Sequence, residues 1–256
     1  MLKVGVEGVR RFMRANQALS SRIEDRLPHA KPDLEEEYVE RVRQHMSARN
    51  ELLVVDVGGG RTCPFARYRE PGSRVKIVAV DVSAEELALN HDVDETRLAD
   101  VAREMPFGVS TVDLVASSSV LEHLQDVEGF VRNASQILKP GGSFIHVFAC
   151  RYAPSALLNR LLPNWLTRRI LHFVIPGSEG ILGFPAYYDR CYASAVKSLL
   201  ERHGLEVIEL RPGYFAADYF GFFLPFFLGV ASYELIAWAL DAENLAAVML
   251  VVARKS

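Results

Sequence analysis

Three consecutive glycines follow an aspartate at the end of an apolar run, in the stretch LLVVDVGGGRT at residues 52–62. The aspartate is Asp56, and the glycines are Gly58, Gly59 and Gly60. Glycine has no Cβ, so a turn built from it lets ligand atoms approach the main chain closely. An acid beside such a turn repels a pyrophosphate and suits a ligand with positive charge. A sulfonium that also bears an amino group fits that description.

Common phosphate-binding motifs do not match this turn. Counted from Gly58 and Gly60, the third glycine position of a GxGxxG dinucleotide motif holds Cys63, and no Lys-Ser or Lys-Thr pair follows as in a P-loop. A second acid, Asp81, closes the next apolar run 25 residues after Asp56. In a parallel sheet, a carboxylate at that place holds both hydroxyls of a ribose. The two acids therefore predict a ribose-containing ligand that carries positive charge.

The apolar run that ends at Asp56 is the first of a series. Continuous apolar runs are typical of strands buried on both faces, and helices between them indicate crossover connections and a parallel sheet. The first group has strands at 52–57, 75–81, 111–118 and 141–149 and a helix at 127–139; the second has a helix at 191–203 and strands at 205–210 and 246–254. The pattern predicts a doubly wound α/β fold. We also expect a helix directly after the glycine turn, and we expect Pro140 to end the helix at 127–139.

The remaining segments are predicted to be additions to this core within one domain that spans residues 1–256. Residues 1–50 have a helical period and form an N-terminal helical cap, and residues 51–150 form the cofactor-binding half. Residues 151–190 and 212–244 are helical insertions on the acceptor side, and a strand at 246–254 completes the sheet.

Composition excludes several classes of protein. Half of the 256 residues are hydrophobic, which is enough for a substantial core, and a formal charge of -3 argues against nucleic acid as a partner. The three cysteines are too few for a disulfide framework, and no HxxxH, ExxH or paired-cysteine pattern indicates a metal. The N-terminus lacks the features of a secretory signal. We expect a cytoplasmic protein without a metal ion.

Five segments together resemble the class I S-adenosylmethionine-dependent methyltransferases. They are VVDVGGG, AVDVS, LADVAREMPF, VDLVASSSVLEHL and ILKPGGSFI, in the order of that family, and they cover about residues 50–150. The resemblance implies S-adenosyl-L-methionine as the cofactor and a mostly parallel, Rossmann-like sheet of seven strands, the last antiparallel. It also implies methyl transfer to a small-molecule, sugar-containing or lipid-linked acceptor.

The resemblance assigns roles to residues of the cofactor half. Asp56 and Gly58 match positions around the methionine part, where the glycine turn passes beneath the ligand. Asp81 matches the acid that holds the ribose, and Val82 matches an apolar contact to adenine. Asp100 resembles the acid that meets the adenine amino group.

The segment from Ser117 to Ser119, which includes Ser118, resembles the lining of the methyl-transfer chamber; the serines could also simply bind backbone groups at a strand end. The sequence departs from the family at Thr62, where many members have another glycine, and in the interval between Asp100 and Pro106, which is one residue longer.

Residues for the acceptor are predicted less specifically. His123, at a helix start, is either a general base or a positioning residue, and His146 is a second imidazole that could accept a proton from a hydroxyl acceptor. In the first insertion we predict that a polar or anionic acceptor is held by Arg151, Asn159, Tyr188 and Arg190. The alternative for these residues is a solvated helix face with aromatic packing.

The tract YFGFFLPFFLGVASYELIAWAL at 219–240 is apolar and about long enough to span a bilayer. Pro225, Gly229 and Glu234 interrupt it, and a strand of the sheet follows, so we predict a helical lid that covers the acceptor or rests on a membrane surface.

Two further functions are considered beside methyl transfer: a catalytically silent cofactor-binding or assembly subunit, and, less favoured, a nicotinamide oxidoreductase. The oligomeric state is left open.

Overall fold

The computed structural model describes residues 2–30, 33–161 and 185–256, so much of the predicted insertion at 151–190 lies outside the described residues. Its contacts divide the chain into two compact units. The sheet unit comprises Asp33–Ala149, Ala186–Arg211 and Met249–Ser256, and the helical unit comprises Met1–Pro32, Cys150–Pro185 and Pro212–Val248. Tyr188 and Arg190, predicted in the first insertion, belong to the sheet unit.

A seven-stranded sheet forms the core, as predicted. The strands are β1 (Glu51–Val57), β2 (Arg74–Asp81), β3 (Glu95–Leu98), β4 (Val112–Ser118), β5 (Leu138–Ala149), β6 (Leu205–Gly213) and β7 (Val248–Lys255). Their order in the sheet is β3-β2-β1-β4-β5-β7-β6, and the four pairs from β3 to β5 are parallel. This arrangement is the doubly wound fold.

The last strand runs antiparallel to its neighbour β6. Ala247, just before β7, donates its N–H to the carbonyl of Gly213 at the end of β6 (2.8 Å). Ser256, just after β7, donates to the carbonyl of Gly204, just before β6 (3.1 Å). The beginning of one strand therefore meets the end of the other, which confirms the predicted orientation.

The α-helices of the described residues are divided between the sheet unit and the helical unit. They are α1 (Leu2–Glu24), α2 (Leu34–Ser47), α3 (Ala84–Leu87), α4 (Val127–Ile137), α5 (Pro154–Leu161), α6 (Ala193–Arg202) and α7 (Leu224–Ala239). Asp33 and Asp126 cap the N-termini of α2 and α4 with their carboxylates, which accept backbone N–H groups of the first turn.

The helix predicted directly after the glycine turn is not formed. Between Gly60 and β2 the chain makes turns and one 3₁₀ helix, Ala66–Tyr68. Pro64 and Pro71 lack the N–H that an α-helix interior requires, and they leave too few residues between them for a stable helix.

The end of α4 also differs from the prediction. The helix ends at Ile137, and β5 already begins at Leu138, so Pro140 lies inside the strand rather than at the helix end. The pairing of β5 with β4 shifts register between Val112 and Leu114, next to this proline. A strand position that lacks an N–H is tolerated at such an irregularity.

In the helical unit, α7 packs against α1. The backbone N–H of Leu224 donates to the side-chain oxygen of Asn16 (2.9 Å), and the Ser20 hydroxyl donates to the carbonyl of Gly221 (3.2 Å). Phe227 and Ala231 of α7 are buried in the apolar core of this unit. Across residues 2–30, 33–161 and 185–256, no helix combines the length and apolarity needed to cross a membrane.

Candidate functional site

The glycine turn after β1 is tightly packed at its first two residues. Gly58 has a φ of 69° and donates its N–H to the carbonyl of Val80 (2.7 Å). A Cβ on Gly58 would lie 2.3 Å from Cγ2 of Val120, and one on Gly59 would lie 2.8 Å from Cβ of Ala79. These two glycines are required by contacts inside the protein, so packing explains part of the GGG run.

Gly60 differs because its open side faces a carboxylate. Its N–H donates to Oδ2 of Asp81 (3.2 Å), and a Cβ there would lie 3.9 Å from that same oxygen. A side chain on Gly60 would occupy the space beside the Asp81 carboxylate. This is the close approach to the main chain that the sequence predicts for a ligand, and it fits a ribose held by Asp81.

Asp81 is fixed at the carboxyl end of β2. Its Oδ1 accepts the N–H of Ser83 (2.9 Å), while its Oδ2 accepts the N–H of Gly60. Each carboxylate oxygen can accept more than one hydrogen bond, so both keep capacity for a hydroxyl donor. Val82 follows and is 57% exposed, as an apolar contact for a planar base requires.

Asp100 lies next to this strand end. The N–H of Ala99 donates to the carbonyl of Asp81 (3.0 Å), which brings the segment after β3 beside β2. The Asp100 side chain is exposed; its Oδ1 accepts the N–H of Ala102 (3.1 Å), and Arg103 lies 3.2 Å from its Oδ2. The structure therefore gathers Asp81, Val82 and Asp100 at one edge of the sheet.

Asp56, at the end of β1, is 3% exposed. Burial raises the pKa of its carboxyl to about 7, a hydrogen bond with the Cys63 thiol opposes that rise, and the charge of Asp81 adds to it. Its Oδ2 has no hydrogen-bond partner within the described part of the chain. A buried carboxyl with a free acceptor atom favours a cation or a donor beside it.

Ser117 and His146 belong to the interior of the sheet unit. The Ser117 hydroxyl lies 2.6 Å from Nδ1 of His146, and both side chains are fully buried. Burial lowers the pKa of His146 well below its usual value, and its ring packs against Phe144 and Phe130. The second imidazole considered from the sequence is therefore a neutral core residue.

Ser118 and Ser119 face a different partner, Glu35 of α2. The Ser118 hydroxyl donates to Oε2 of Glu35 (2.7 Å), and the Ser119 hydroxyl approaches Oε1 at 3.5 Å. The sequence does not indicate this contact, because Glu35 and Ser118 are 83 residues apart in the chain and the acidic start of α2 is also typical of an ordinary solvated helix end.

His123 ends a 3₁₀ helix, Leu121–His123, rather than starting α4, and its side chain is partly exposed. Glu122, which precedes it, is one of two residues near the candidate site that the sequence did not predict. Its side chain is 4% exposed, its Oε1 accepts the N–H of Ala149 (3.2 Å), and burial, reinforced by the charge of Glu35, raises its pKa to about 7.

A second missed residue, Asn90, holds the glycine turn. Its side-chain amide donates to the carbonyls of Gly59 (2.9 Å) and Gly60 (3.1 Å), and its oxygen accepts the N–H of Asp92 (3.0 Å). These bonds set the plane of the turn and therefore the direction of the Gly60 N–H. A lone asparagine before a strand gives no such indication in the sequence.

The predicted acceptor residues are dispersed. Arg190 forms an ion pair with Glu128 of α4, so a carboxylate of the sheet unit already neutralises its charge. Tyr188 is buried and donates its N–H to the carbonyl of Glu122 (2.9 Å). Arg151 belongs to the helical unit, as does Asn159 on α5.

The strand order places a crevice at the carboxyl ends of β1 and β4. In the sheet, β1 lies between β2 and β4. The chain continues from β1 to β2 and β3 on one side and returns to β4 on the other side, so the topological switch point falls between β1 and β4. The glycine turn follows β1 on one side of this point, and residues 118–123 follow β4 on the other side, where Val120 packs over Gly58. We refer to this place as the crevice.

The part of the chain that contains the glycine turn and residues 118–123 also matches a known family. Residues 55–146 match the family model described as "Methyltransferase domain". A ubiquinone biosynthesis O-methyltransferase from Methylocella silvestris is 29% identical over 145 residues, which cover 52% of this chain and 48% of that protein. An arginine-hydroxylase NDUFAF5, mitochondrial, from Danio rerio is 34% identical over 116 residues, which cover 44% of this chain and 36% of that protein. The chain thus spans about half or less of the length of these relatives.

Among solved structures, the fold is similar to a geranyl diphosphate C-methyltransferase from Streptomyces coelicolor A3(2), in complex with Mg²⁺, geranyl diphosphate and S-adenosyl-L-homocysteine. The TM-score is 0.54 at 15% sequence identity, and the match covers 87% of this chain and 81% of that one. At this identity the likeness concerns the fold.

Proposed function

We propose that this chain, in which residues 55–146 form a class I S-adenosylmethionine-dependent methyltransferase domain, transfers a methyl group to a small-molecule, sugar-containing or lipid-linked acceptor. The family match confirms the resemblance that the five sequence segments predict. What we propose beyond the family match is the class of acceptor and the roles of individual residues.

The observation that carries the proposal is the geometry of Gly60 and Asp81. A residue without a side chain donates its N–H to a strand-ending carboxylate, and a Cβ at that glycine would lie 3.9 Å from the same carboxylate oxygen. The arrangement supports a ribose whose hydroxyls donate to Asp81. Val82 and Asp100, at the same edge, then contact the adenine ring and its amino group.

When bound, S-adenosylmethionine supplies a methyl group on a positively charged sulfur. In-line displacement at that carbon depends mainly on alignment of the acceptor, so the protein's task is to hold both partners and exclude water. We assign the methionine part to Asp56 and the glycine turn. The buried Asp56 carboxyl, which has an unpartnered oxygen, supports a donor or cation there. Ser118 is still proposed to contact the cofactor. For Ser117, whose side chain is buried, we propose that only backbone atoms contact it.

His123 is proposed as the proton acceptor for a hydroxyl acceptor. It lies at the end of the turn that lines the β4 side of the crevice, and its side chain is partly exposed. Tyr188, Arg190 and Arg151 remain the proposed acceptor contacts, with Tyr188 supported most by the structure because its N–H binds Glu122 in the same turn.

The proposal is tested by acceptor-dependent turnover. Purified protein is incubated with S-adenosylmethionine and a panel of phenolic, sugar and lipid-linked acceptors, and release of S-adenosylhomocysteine is measured against Asp81→Ala. Release with at least one acceptor, lost in the variant, agrees with methyl transfer. Tight cofactor binding with no release across the panel contradicts it.

A second candidate is a cofactor-binding protein that does not transfer methyl groups. One of the two relatives above is named as an arginine-hydroxylase, so similarity over this region extends to a protein with another named activity. The chain would then bind the cofactor as a silent or assembly subunit. Binding without turnover in the same assay favours this candidate.

We further propose that the helical unit makes a peripheral membrane contact. The exposed large side chains of α7 and the residue after it are apolar, among them Phe226, Ile236 and Leu240, while the one charged residue of α7, Glu234, is buried. The neighbouring helix α1 exposes several arginines, which suit anionic lipid. A cytoplasmic location and the lid role of residues 219–240 belong to the same proposal.

A further inference from the structure

The β4 side of the crevice carries a buried carboxyl that the proposed reaction does not use. Glu122 is 4% exposed, and Ala149 donates a backbone N–H to its Oε1. Its Oε2 has no hydrogen-bond partner in residues 2–30, 33–161 and 185–256. Burial of an acceptor atom without a partner costs free energy, so such an atom favours a donor or a cation beside it.

The surroundings of Glu122 supply negative charge and backbone N–H groups. Glu35, from α2, is the neighbouring charge and disfavours ionisation of Glu122. Glu35 is itself held by the hydroxyls of Ser118 and Ser119. From the segment after residue 185, Tyr187 and Tyr188 donate N–H groups to the Glu122 carbonyl, not to its side chain (2.8 and 2.9 Å).

Glu122 belongs to the turn that follows β4 and lies beside the glycine turn. Val120, two residues before Glu122, lies over Gly58, so the turn stands beside the glycine turn across the switch point. On the opposite side, Asp56 also has a buried oxygen without a described partner. Two buried carboxyls with unpartnered oxygens thus occur near the carboxyl ends of β1 and β4, Asp56 within β1 and Glu122 in the turn after β4, and among the described residues neither forms a salt bridge.

We propose that Glu122, supported by Glu35, forms an anionic subsite that recognises the positive charge of the sulfonium and thereby distinguishes S-adenosylmethionine from its demethylated product. The proposal rests on the proposed function, since it requires cofactor in the crevice. It assigns Glu122 a role in cofactor selection, separate from the proton transfer proposed for His123.

The sign of the effect follows from the charges. The pKa of Glu122 is raised to about 7 in the ligand-free protein, so near pH 7 the carboxyl is partly protonated. A sulfonium in the crevice favours the ionised carboxylate and lowers this pKa, so binding releases a proton from Glu122 to the buffer. S-Adenosylhomocysteine lacks the sulfonium charge, so its binding releases less. Preference for the methyl donor should increase as pH rises through about 7.

The test is titration calorimetry with S-adenosylmethionine and S-adenosylhomocysteine, each in two buffers that differ in ionisation enthalpy. The difference between buffers gives the protons released on binding, and the titrations give the ratio of the two dissociation constants. Glu122→Gln keeps an oxygen for the Ala149 N–H but cannot ionise. Glu35→Gln is a second variant at an exposed position, and Glu51→Gln, at the opposite end of β1, is the matched control.

At pH 8 the preference of the wild-type protein for S-adenosylmethionine over its product should be roughly tenfold larger than that of Glu122→Gln, which corresponds to lowering the carboxyl pKa by about one on binding. The preference should decrease at pH 5.5. Asp56 is a second buried carboxyl that can release a proton when either ligand binds. The additional proton release with S-adenosylmethionine over S-adenosylhomocysteine should therefore disappear in Glu122→Gln, decrease or shift to lower pH in Glu35→Gln, and persist in Glu51→Gln.

The proposal is overturned when Glu122→Gln binds both ligands with the wild-type ratio and the wild-type proton release. Thermal unfolding of each variant without ligand shows whether it is folded; should Glu122→Gln be unfolded, an unchanged proton release in Glu35→Gln overturns the proposal. Failure of the wild-type protein to bind either ligand is a different result, which contradicts the proposed function itself.

Discussion

Replacement of Asp81 should abolish most of the affinity for the cofactor. Both carboxylate oxygens are already held by backbone N–H groups, of Ser83 and Gly60, and each keeps capacity for one ribose hydroxyl. Hydrogen bonds to a charged group contribute roughly 1.5 to 3 kcal/mol each. Loss of two such bonds in Asp81→Ala amounts to about 3 to 6 kcal/mol, or a dissociation constant about 100- to 10,000-fold larger.

Calorimetric titration with S-adenosylhomocysteine measures this change directly. Asp81→Asn keeps the size of the side chain and one acceptor oxygen, so its affinity should lie between those of Asp81→Ala and the wild-type protein. Glu51→Gln removes an acid from the start of β1, at the opposite edge of the sheet, and should bind normally. Near-wild-type affinity in a folded Asp81→Ala protein would refute the placement of the ribose.

Four further predictions each have a defined outcome. Gly58→Ala should lower the free energy of unfolding by roughly 1 to 3 kcal/mol in denaturant titrations, because of its φ of 69° and the contact with Val120; Gly72→Ala, with a φ of 84° and open space around it, should cost less. His123→Ala should reduce turnover on a hydroxyl acceptor by about 100-fold with little change in cofactor affinity, and normal turnover would make it a positioning residue. Burial raises the pKa of Glu234 to about 8, so the wild-type protein should lose stability as pH rises from the usual glutamate pKa of about 4.5 to about 8; Glu234→Gln should lose less in thermal melts, and equal losses would contradict this reasoning. The full chain should be released from membranes by a carbonate or salt wash, whereas extraction by detergent alone would indicate a membrane anchor through residues 219–240.

The sequence predicts the sheet well where burial alone determines the pattern. The runs that became β1, β2, β4 and β5 are continuous and apolar because both faces of a parallel sheet are covered. The strand β3 was not predicted, since its four residues, ETRL, alternate between partly buried and exposed and contain two charges. The absent helix after Gly60 has a local cause, the two prolines, which the sequence does contain.

The site was predictable only where its chemistry lies at the end of a strand. Asp56 and Asp81 occupy such ends, and the order of strands brings them to one edge. Asn90 and Glu122 were not predicted because their roles depend on partners distant in the chain, the glycine turn and the N–H of Ala149. The three glycines have different physical reasons: packing requires Gly58 and Gly59, whereas Gly60 has a φ of 37°, which favours glycine, and lies beside Asp81.

A crystal structure of the chain with S-adenosylhomocysteine tests the central claim most directly. In the proposed site the Asp81 carboxylate lies beside the glycine turn and Val82 is exposed, so we expect both ribose hydroxyls within hydrogen-bond distance of that carboxylate and the nucleoside against Val82. A nucleoside bound away from Asp81, or a crevice that stays empty at saturating ligand, would contradict the account.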